Sequence, residues 1–259
     1  MTNRHPAEDR PAPWRALFSR LFVWGGGGAF AASLALCGFT YAVRWSSGRP
    51  GGGWAAAGID ASLVAAFAAH HSLFARNRVK RLLARAVPEA LVRSVYVWAA
   101  AALLALVCLA WRRVGGELYD LRGWTGAAPL AAQLAGLALI ARSTATIDPL
   151  ELAGIRQFYT TRRAGGAPPS SAPIEAPPPP RLQVTGPYRL VRHPLYLGWV
   201  LVVFGTAHLT GDRLLFAALT TVYLAIAIPW EERSLAAEFG EEYERYRSTV
   251  RWRLLPYVY

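Results

Sequence analysis

Six apolar runs, at about 21–43, 58–74, 94–111, 124–141, 195–211 and 214–230, punctuate this chain, and each approaches the length at which a helix crosses a bilayer. A helix rises about 1.5 Å per residue, so around 20 residues span the hydrocarbon. In lipid every backbone N–H and C=O must be paired internally, and runs this long and continuous suit helices rather than barrel strands. The predicted fold is an all-α integral membrane bundle of about six transmembrane helices. Hydrophobic residues form 54% of the chain and charged residues only 17%, which fits that class and excludes a soluble basic domain.

The net charge of +12 reads as a topology signal. On alternate sides of six spans, one side holds Arg44, Arg49, Arg112, Arg113, Arg122 and Arg213, and the other holds the large remainder of the 28 basic residues. The positive-inside rule then predicts cytoplasmic N- and C-termini, with loop 75–93 and segment 142–194 on the same side. Nucleic-acid binding would need basic residues interleaved with exposed aromatics on a soluble face, and no such pattern occurs. The abundance of Ala, Arg, Gly and Pro points to a bacterial inner membrane. Trp45, Trp54, Trp111 and Trp124 flank the outer loops and are expected as interfacial anchors. Cys37 and Cys108 lie inside spans without metal-ligand spacing, so buried free thiols and no metal site are expected. Residues 1–16 lack the pattern of a cleaved signal, and the first span is expected to stay as an anchor.

The chain divides into a four-span block (1–141), a cytoplasmic connector with a proline-rich insert at 164–180 (142–185), and a final hairpin with a C-terminal helix (186–259). The insert suits a flexible or polyproline-like connector and carries no chemistry. After the last span, Glu231, Leu235, Phe239, Tyr243 and Tyr246 fall on one face of a predicted helix.

The chemistry concentrates in that last part. Gly186-Pro-Tyr-Arg-Leu-Val-Arg-His-Pro-Leu-Tyr-Leu-Gly-Trp199 places Tyr188, Arg192, His193 and Pro194 just before the fifth run. The connection near 211–213 is so short that the last two runs form a hairpin, which returns Glu231 and Glu232 to the level of His193. Pro194 suits the first turn of a helix, whose free N–H groups and dipole favour an anion. Arg192 is suited to grip a carboxylate, and the glutamates to accept from an ammonium or from ribose hydroxyls. Tyr188, Tyr196, Tyr243 and Tyr246 offer faces to a base or a sulfonium. The plainer alternative is that Arg192 and His193 mark the membrane edge and that Glu231 and Glu232 open a surface helix.

The 186–199 stretch, with Glu231-Glu232-Arg-Ser-Leu-Ala-Ala-Glu-Phe-Gly-Glu-Glu-Tyr-Glu-Arg-Tyr246, resembles the isoprenylcysteine carboxyl methyltransferase family of membrane methyltransferases over roughly residues 182–256. That resemblance implies S-adenosylmethionine as cofactor. It implies contacts from Tyr188, His193, Pro194, Leu195 and Tyr196, extended to Gln157, Leu182, Gln183, Glu232 and Tyr243. Glu231 is implied beside the reacting substrate, with Arg192 as a second catalytic candidate. No Gly-rich strand-turn-helix fingerprint of soluble nucleotide sites is present, and Gly25 to Gly28 are expected to serve close helix packing.

In the carboxyl-methylating members an Arg precedes the first Glu by four residues; here Ala227 stands there, and Pro229 is expected to disturb the helix. The front half, with His71-Ser-Leu-Phe-Ala-Arg76, Arg93-Ser-Val-Tyr96 and Ile147 to Gln157, is similar to the methanethiol S-methyltransferase subgroup. It departs at Pro149-Leu-Glu-Leu-Ala-Gly154 and in the proline-rich insert. The resemblance implies a small or lipid-soluble thiol acceptor, met at the cytoplasmic face of the bilayer. The alternatives are a lipid amine or carboxylate acceptor, or a non-enzymatic protein retaining the fold. Glu231, or the field of the sulfonium itself, is favoured over His70, His71 and His208 in handling the acceptor's proton. Oligomeric state is not legible in the sequence.

Overall fold

The computed structural model describes residues 13–74, 76–146, 150, 153–164 and 181–259, so the proline-rich insert and most of 147–152 lie outside the described residues. The long helices are α1 (Pro13–Phe39), α2 (Gly53–Phe74), α4 (Glu89–Ala110), α5 (Ala127–Thr146) and α8 (Gly211–Phe239). Shorter helices are α3 (Asn77–Leu83), α6 (Ile155–Ala164), α7 (Pro194–Phe204) and α9 (Glu241–Thr249). Strands β1 (Glu117–Asp120) and β2 (His208–Thr210) form one antiparallel pair.

Four segments are long and apolar enough to cross a membrane: Trp14–Arg44, Glu89–Ala110, Gly123–Thr146 and Gly211–Phe239. Only 6% of the apolar window in Gly123–Thr146 is covered by protein. An apolar surface left that open belongs against lipid tails. The chain is a helical integral membrane protein.

The second and fifth runs depart from the simple reading. α2 carries Asp60, His70 and His71 within its 22 residues and is not among those four segments. In the fifth run, α7 has 11 residues and covers about 16 Å. The helix stops at Gly205, where a Cβ would collide with the Leu201 carbonyl, and the chain continues extended into β2. Side chains satisfy the backbone there: Tyr41 Oη donates to Val203 O (2.7 Å), Gln133 Nε2 to Val202 O (3.1 Å) and Tyr119 Oη to Thr206 O (3.2 Å). Non-helical backbone at membrane depth is tolerated only when protein pairs it in this way.

Glycines set two close helix crossings. A Cβ on Gly198 would lie 2.8 Å from the Gly136 carbonyl, so α7 and α5 touch through their backbones. Gly25 and Gly26 of α1 lie against the Trp98 ring of α4, each leaving 3.1 Å for a Cβ, and Trp98 Nε1 donates to Phe22 O (2.9 Å).

At the end of the bundle that holds the β-pair, the tryptophans split into two kinds. Trp54 and Trp124 are 93% and 86% exposed, as anchors should be, but Trp45 and Trp111 are 3% and 7% exposed. Those two rings pack 4.4 Å apart over Phe216, and Trp111 Nε1 donates to Asp212 Oδ1 (2.9 Å). A short π-turn at Thr40–Arg44 ends α1 there, and the buried Arg213 guanidinium satisfies its Tyr41 and Ala42 carbonyls at 3.0 and 2.9 Å. Arg213 is thus an internal clamp rather than an exposed loop charge. Cys37 and Cys108 are free and buried.

α8 runs unbroken through Pro229, against the expectation of a disturbance there. It ends at Gly240, whose φ of 52° is left-handed, and α9 starts in a new direction. The predicted single helix from Glu231 to Arg247 is therefore two. Leu235, Phe239, Tyr243 and Tyr246 still share one apolar cluster, joined by Leu182, Tyr188 and Val250.

Candidate functional site

The site is built where α7 begins and α8 leaves the bundle. Gly186, with φ of 60°, turns the chain into a short 3₁₀ segment, Gly186–Arg189, that carries Tyr188. His193 is the N-cap of α7 and Pro194 its first residue, a position where the missing proline N–H removes no helical bond. The first-turn N–H groups of Leu195 and Tyr196 have no acceptor within the helix. The C-terminal segment lies alongside: the Arg192 and His193 amides donate to Trp252 O and Arg253 O, both at 2.9 Å.

Neighbouring glutamates on α8 diverge because successive helix positions turn by about 100°. Glu232 faces inward and its side chain is 5% exposed, whereas Glu231 is 43% exposed. Glu232 accepts from Arg192 Nε (2.7 Å) and Arg253 Nε (3.0 Å). Arg192 Nη1 further donates to Val250 O (2.8 Å) and Arg251 O (2.7 Å). The guanidinium expected to meet an incoming carboxylate is instead held by protein acceptors, since a buried cation is tolerable only when paired and hydrogen-bonded.

Glu231 Oε2 accepts from Tyr196 Oη at 2.8 Å and lies 3.7 Å from His193 Nδ1. The His193 and Tyr196 rings stack, 5.4 Å apart and 1° from parallel. His193 Nε2 is buried without a hydrogen-bond partner, 3.5 Å from Glu232 Oε1. The Tyr243 hydroxyl is also buried and unpartnered, and burial pushes it up to about 12, so it stays neutral. Tyr246 Oη donates to Tyr188 O at 2.8 Å, tying α9 onto the Tyr188 turn.

The structure thus gathers Arg192, His193, Tyr196, Glu231 and Glu232, with Tyr188 and Tyr243 on the adjoining α9 cluster. Leu182 packs into that cluster, and Gln183 is partly buried next to it in the chain. Gln157 stands on α6, which packs on α4 and α1. His208 pairs with Glu117 at 3.0 Å in the β-pair, at the far end of α8 from Glu231. Sequence reading missed Arg253: its pairing with Glu232 depends on the chain reversal after α9, and the only sequence hint was a second basic residue in Arg251-Trp-Arg253. Among the described residues no cluster of His, Cys, Asp and Glu is arranged to hold a metal.

Comparison with known proteins fits this geometry. Residues 174–242 match the phospholipid methyltransferase family, a match that contains the whole of α7 and α8. The chain is 33% identical to methanethiol S-methyltransferase of Crocosphaera subtropica over 77% of this chain and 74% of that protein. It is 36% identical to methanethiol S-methyltransferase of Mycobacterium tuberculosis, over 77% of this chain and 78% of the other. The chain belongs to the family of the methanethiol S-methyltransferases. Methanethiol S-methyltransferase 1 of Bradyrhizobium diazoefficiens is similar too, at 34% identity over 74% of this chain and 64% of that protein. No solved structure matches. Membership of this family makes the protein a membrane methyltransferase, and the site at the α7–α8 hairpin lies within the residues matched at family level.

Proposed function

We propose that the protein transfers a methyl group from S-adenosylmethionine to a small thiol such as methanethiol. The observation that carries this reading is the half-exposed Glu231 carboxylate, fixed by Tyr196 and next to His193, whose Nε2 is unpartnered, at the start of α7. These groups suit the donor's chemistry. Glu231 and His193 Nε2 offer partners for an ammonium or ribose hydroxyls, the first-turn amides of Leu195 and Tyr196 suit a carboxylate, and Tyr188 and Tyr196 offer rings to a base or sulfonium. Pro194 shapes that turn, while Leu182, Gln183 and Tyr243 close its α9 side. Gln157 on α6 is retained as a further donor contact.

When bound, S-adenosylmethionine supplies an electrophilic methyl on a sulfonium. The protein's part is alignment and exclusion of water. Glu231 borders the reacting centre, and Glu232, buried between Arg192 and Arg253, fixes the frame from behind. Arg192 is on this view a positioning residue rather than one that touches substrate. Ala227, one turn before Glu231, offers no cation to an acceptor carboxylate, which disfavours carboxyl methylation.

The same proposal has six membrane-crossing segments, the fifth part helix and part extended, with both termini and the site on the cytoplasmic face of a bacterial inner membrane. Arg76 and Arg233 flank the Trp230 ring at 5.3 and 4.3 Å, an Arg–Trp cluster that suits the basic interfacial edge. Residues 186–259 carry the donor site, 142–185 the connector and 1–141 the four-span block. A second reading, methylation of a lipid amine, is favoured by the match of residues 174–242 to the phospholipid methyltransferase family. Purified protein given methyl-labelled donor and a panel of thiols, lipids and carboxylates separates the two. Label in the thioether supports the thiol reading, and label confined to lipid replaces it.

A further inference from the structure

A second polar cluster adjoins the site, on helices that the donor reading does not use. Tyr223, Ala227 and Glu231 follow at steps of four on α8 and share one face. At the Tyr223 end, Ser72 Oγ of α2 donates to Tyr223 Oη (3.4 Å), and the His71 ring meets the Tyr223 ring edge-on at 6.3 Å. His71 Nδ1 lies 2.7 Å from Tyr96 Oη of α4. Arg93 stands over the Tyr96 ring at 4.8 Å, and His70 stacks on it at 5.5 Å. At the other end, Tyr196 of α7 holds Glu231, and Tyr223 is within electrostatic reach of both. A row of polar groups from α2, α4, α7 and α8 is therefore interrupted at its middle by the single methyl of Ala227.

We propose that His71, oriented by Tyr96, takes the proton of the acceptor thiol, and that Ala227 leaves the space in which that thiol sits. This rests on the thiol reading above. A cysteine thiol, with pKa near 8.5, is only a few per cent ionised at neutral pH, and a simple alkyl thiol less still, so its proton must leave as the sulfur is methylated. Glu231 suits that task poorly, because its carboxylate already accepts from Tyr196 beside His193. Imidazole is the commonest side-chain base for a proton transfer near neutral pH. In the tautomer that donates Nδ1–H to the Tyr96 oxygen, the lone pair is on Nε2. His70 has both ring nitrogens buried and unpartnered and pads Tyr96 rather than relaying a proton.

The step balances without further reagents. The acceptor's S–H bond breaks and its proton goes to His71 Nε2. The acceptor sulfur's electron pair forms the new S–CH₃ bond, and the old CH₃–S⁺ bond breaks with its electrons retained by a neutral thioether. The imidazolium then returns its proton to water.

The test uses full-length protein carrying His71→Gln or Tyr96→Phe, with donor binding by calorimetry as the check that the fold is kept. Rates are compared for ethanethiol and for thiophenol, an aryl thiol already largely ionised near neutral pH. For H71Q the expected loss in kcat/KM is about 10²–10⁴-fold with ethanethiol and less than about tenfold with thiophenol. Y96F should show the same selective pattern, more weakly, and decides the matter if H71Q does not bind donor. A readout independent of turnover is the ring signal of His71 in ¹³C-histidine-labelled protein, identified by its loss in H71Q among five histidines, which should shift on adding ethanethiol without methyl donor. Equal losses for both thiols, no loss, or an unresponsive His71 signal overturns the assignment. Wild-type protein that methylates no thiol at all overturns instead the reading on which it rests.

Discussion

Removing the charge of Glu232 is the most informative perturbation of the frame behind the site. Its carboxylate lies 2.7 Å from Arg192 Nε, and both side chains are almost fully buried. At an effective dielectric of about 20, Coulomb attraction at that separation is about 6 kcal/mol, and desolvation of the two ions offsets part of it. Breaking such a pair from one side leaves an uncompensated buried charge and costs about 3–5 kcal/mol. Arg253, at 3.0 Å but one-third exposed, adds at most about 1 kcal/mol after solvent screening. Glu232→Gln and Arg192→Met should each lower the unfolding free energy, measured by SDS titration in mixed micelles, by roughly that 3–5 kcal/mol. The double variant, which leaves neither charge stranded, should lose at least about 2 kcal/mol less than the sum of the singles. Losses that add to within about 0.5 kcal/mol would refute the pairing as the fastener of the α7–α8 mouth.

Other perturbations probe the remaining links. Gly198→Ala places a methyl 2.8 Å from the Gly136 carbonyl and should cost about 1–3 kcal/mol, seen as a lower melting temperature in detergent. Gly58→Ala, with nothing within 4 Å of the new Cβ, should be neutral or slightly stabilising in the same assay. Tyr196→Phe removes the hydrogen bond that fixes Glu231 and should lower kcat/KM for methyl transfer about tenfold, with donor still bound in calorimetry. Tyr243→Phe deletes a buried hydroxyl that has no hydrogen-bond partner, so the melting temperature should hold or rise; a fall of several degrees would expose a bond that the structure lacks.

The hairpin was legible because its logic is one of length. Two apolar runs joined at 211–213 must bring residues near 193 and 231 to the same depth, and His193 does lie 3.7 Å from Glu231. Other features were hidden because apolarity does not report what a residue faces. Trp45 and Trp111 sit at the ends of runs as Trp54 and Trp124 do, yet they form the core that holds Asp212. The fifth run is apolar throughout, but close approach at Gly205 ends the helix and hands the backbone to Tyr41 and Gln133. Gly240 breaks a helix whose periodicity continues across it, because Phe239 and Tyr243 meet again after the turn. The roles of Arg192 and Arg253 were out of reach for the same reason: which carboxylate a guanidinium finds depends on chain reversals that local pattern does not encode.

The central claim is tested most directly by supplying the purified protein with S-adenosylmethionine carrying a CD₃ methyl, together with methanethiol, and analysing the headspace by mass spectrometry. The account predicts dimethyl sulfide heavier by three mass units, produced in step with loss of donor and absent when the protein is omitted. Donor consumed with the heavy methyl recovered in lipid headgroups and none in dimethyl sulfide would contradict it.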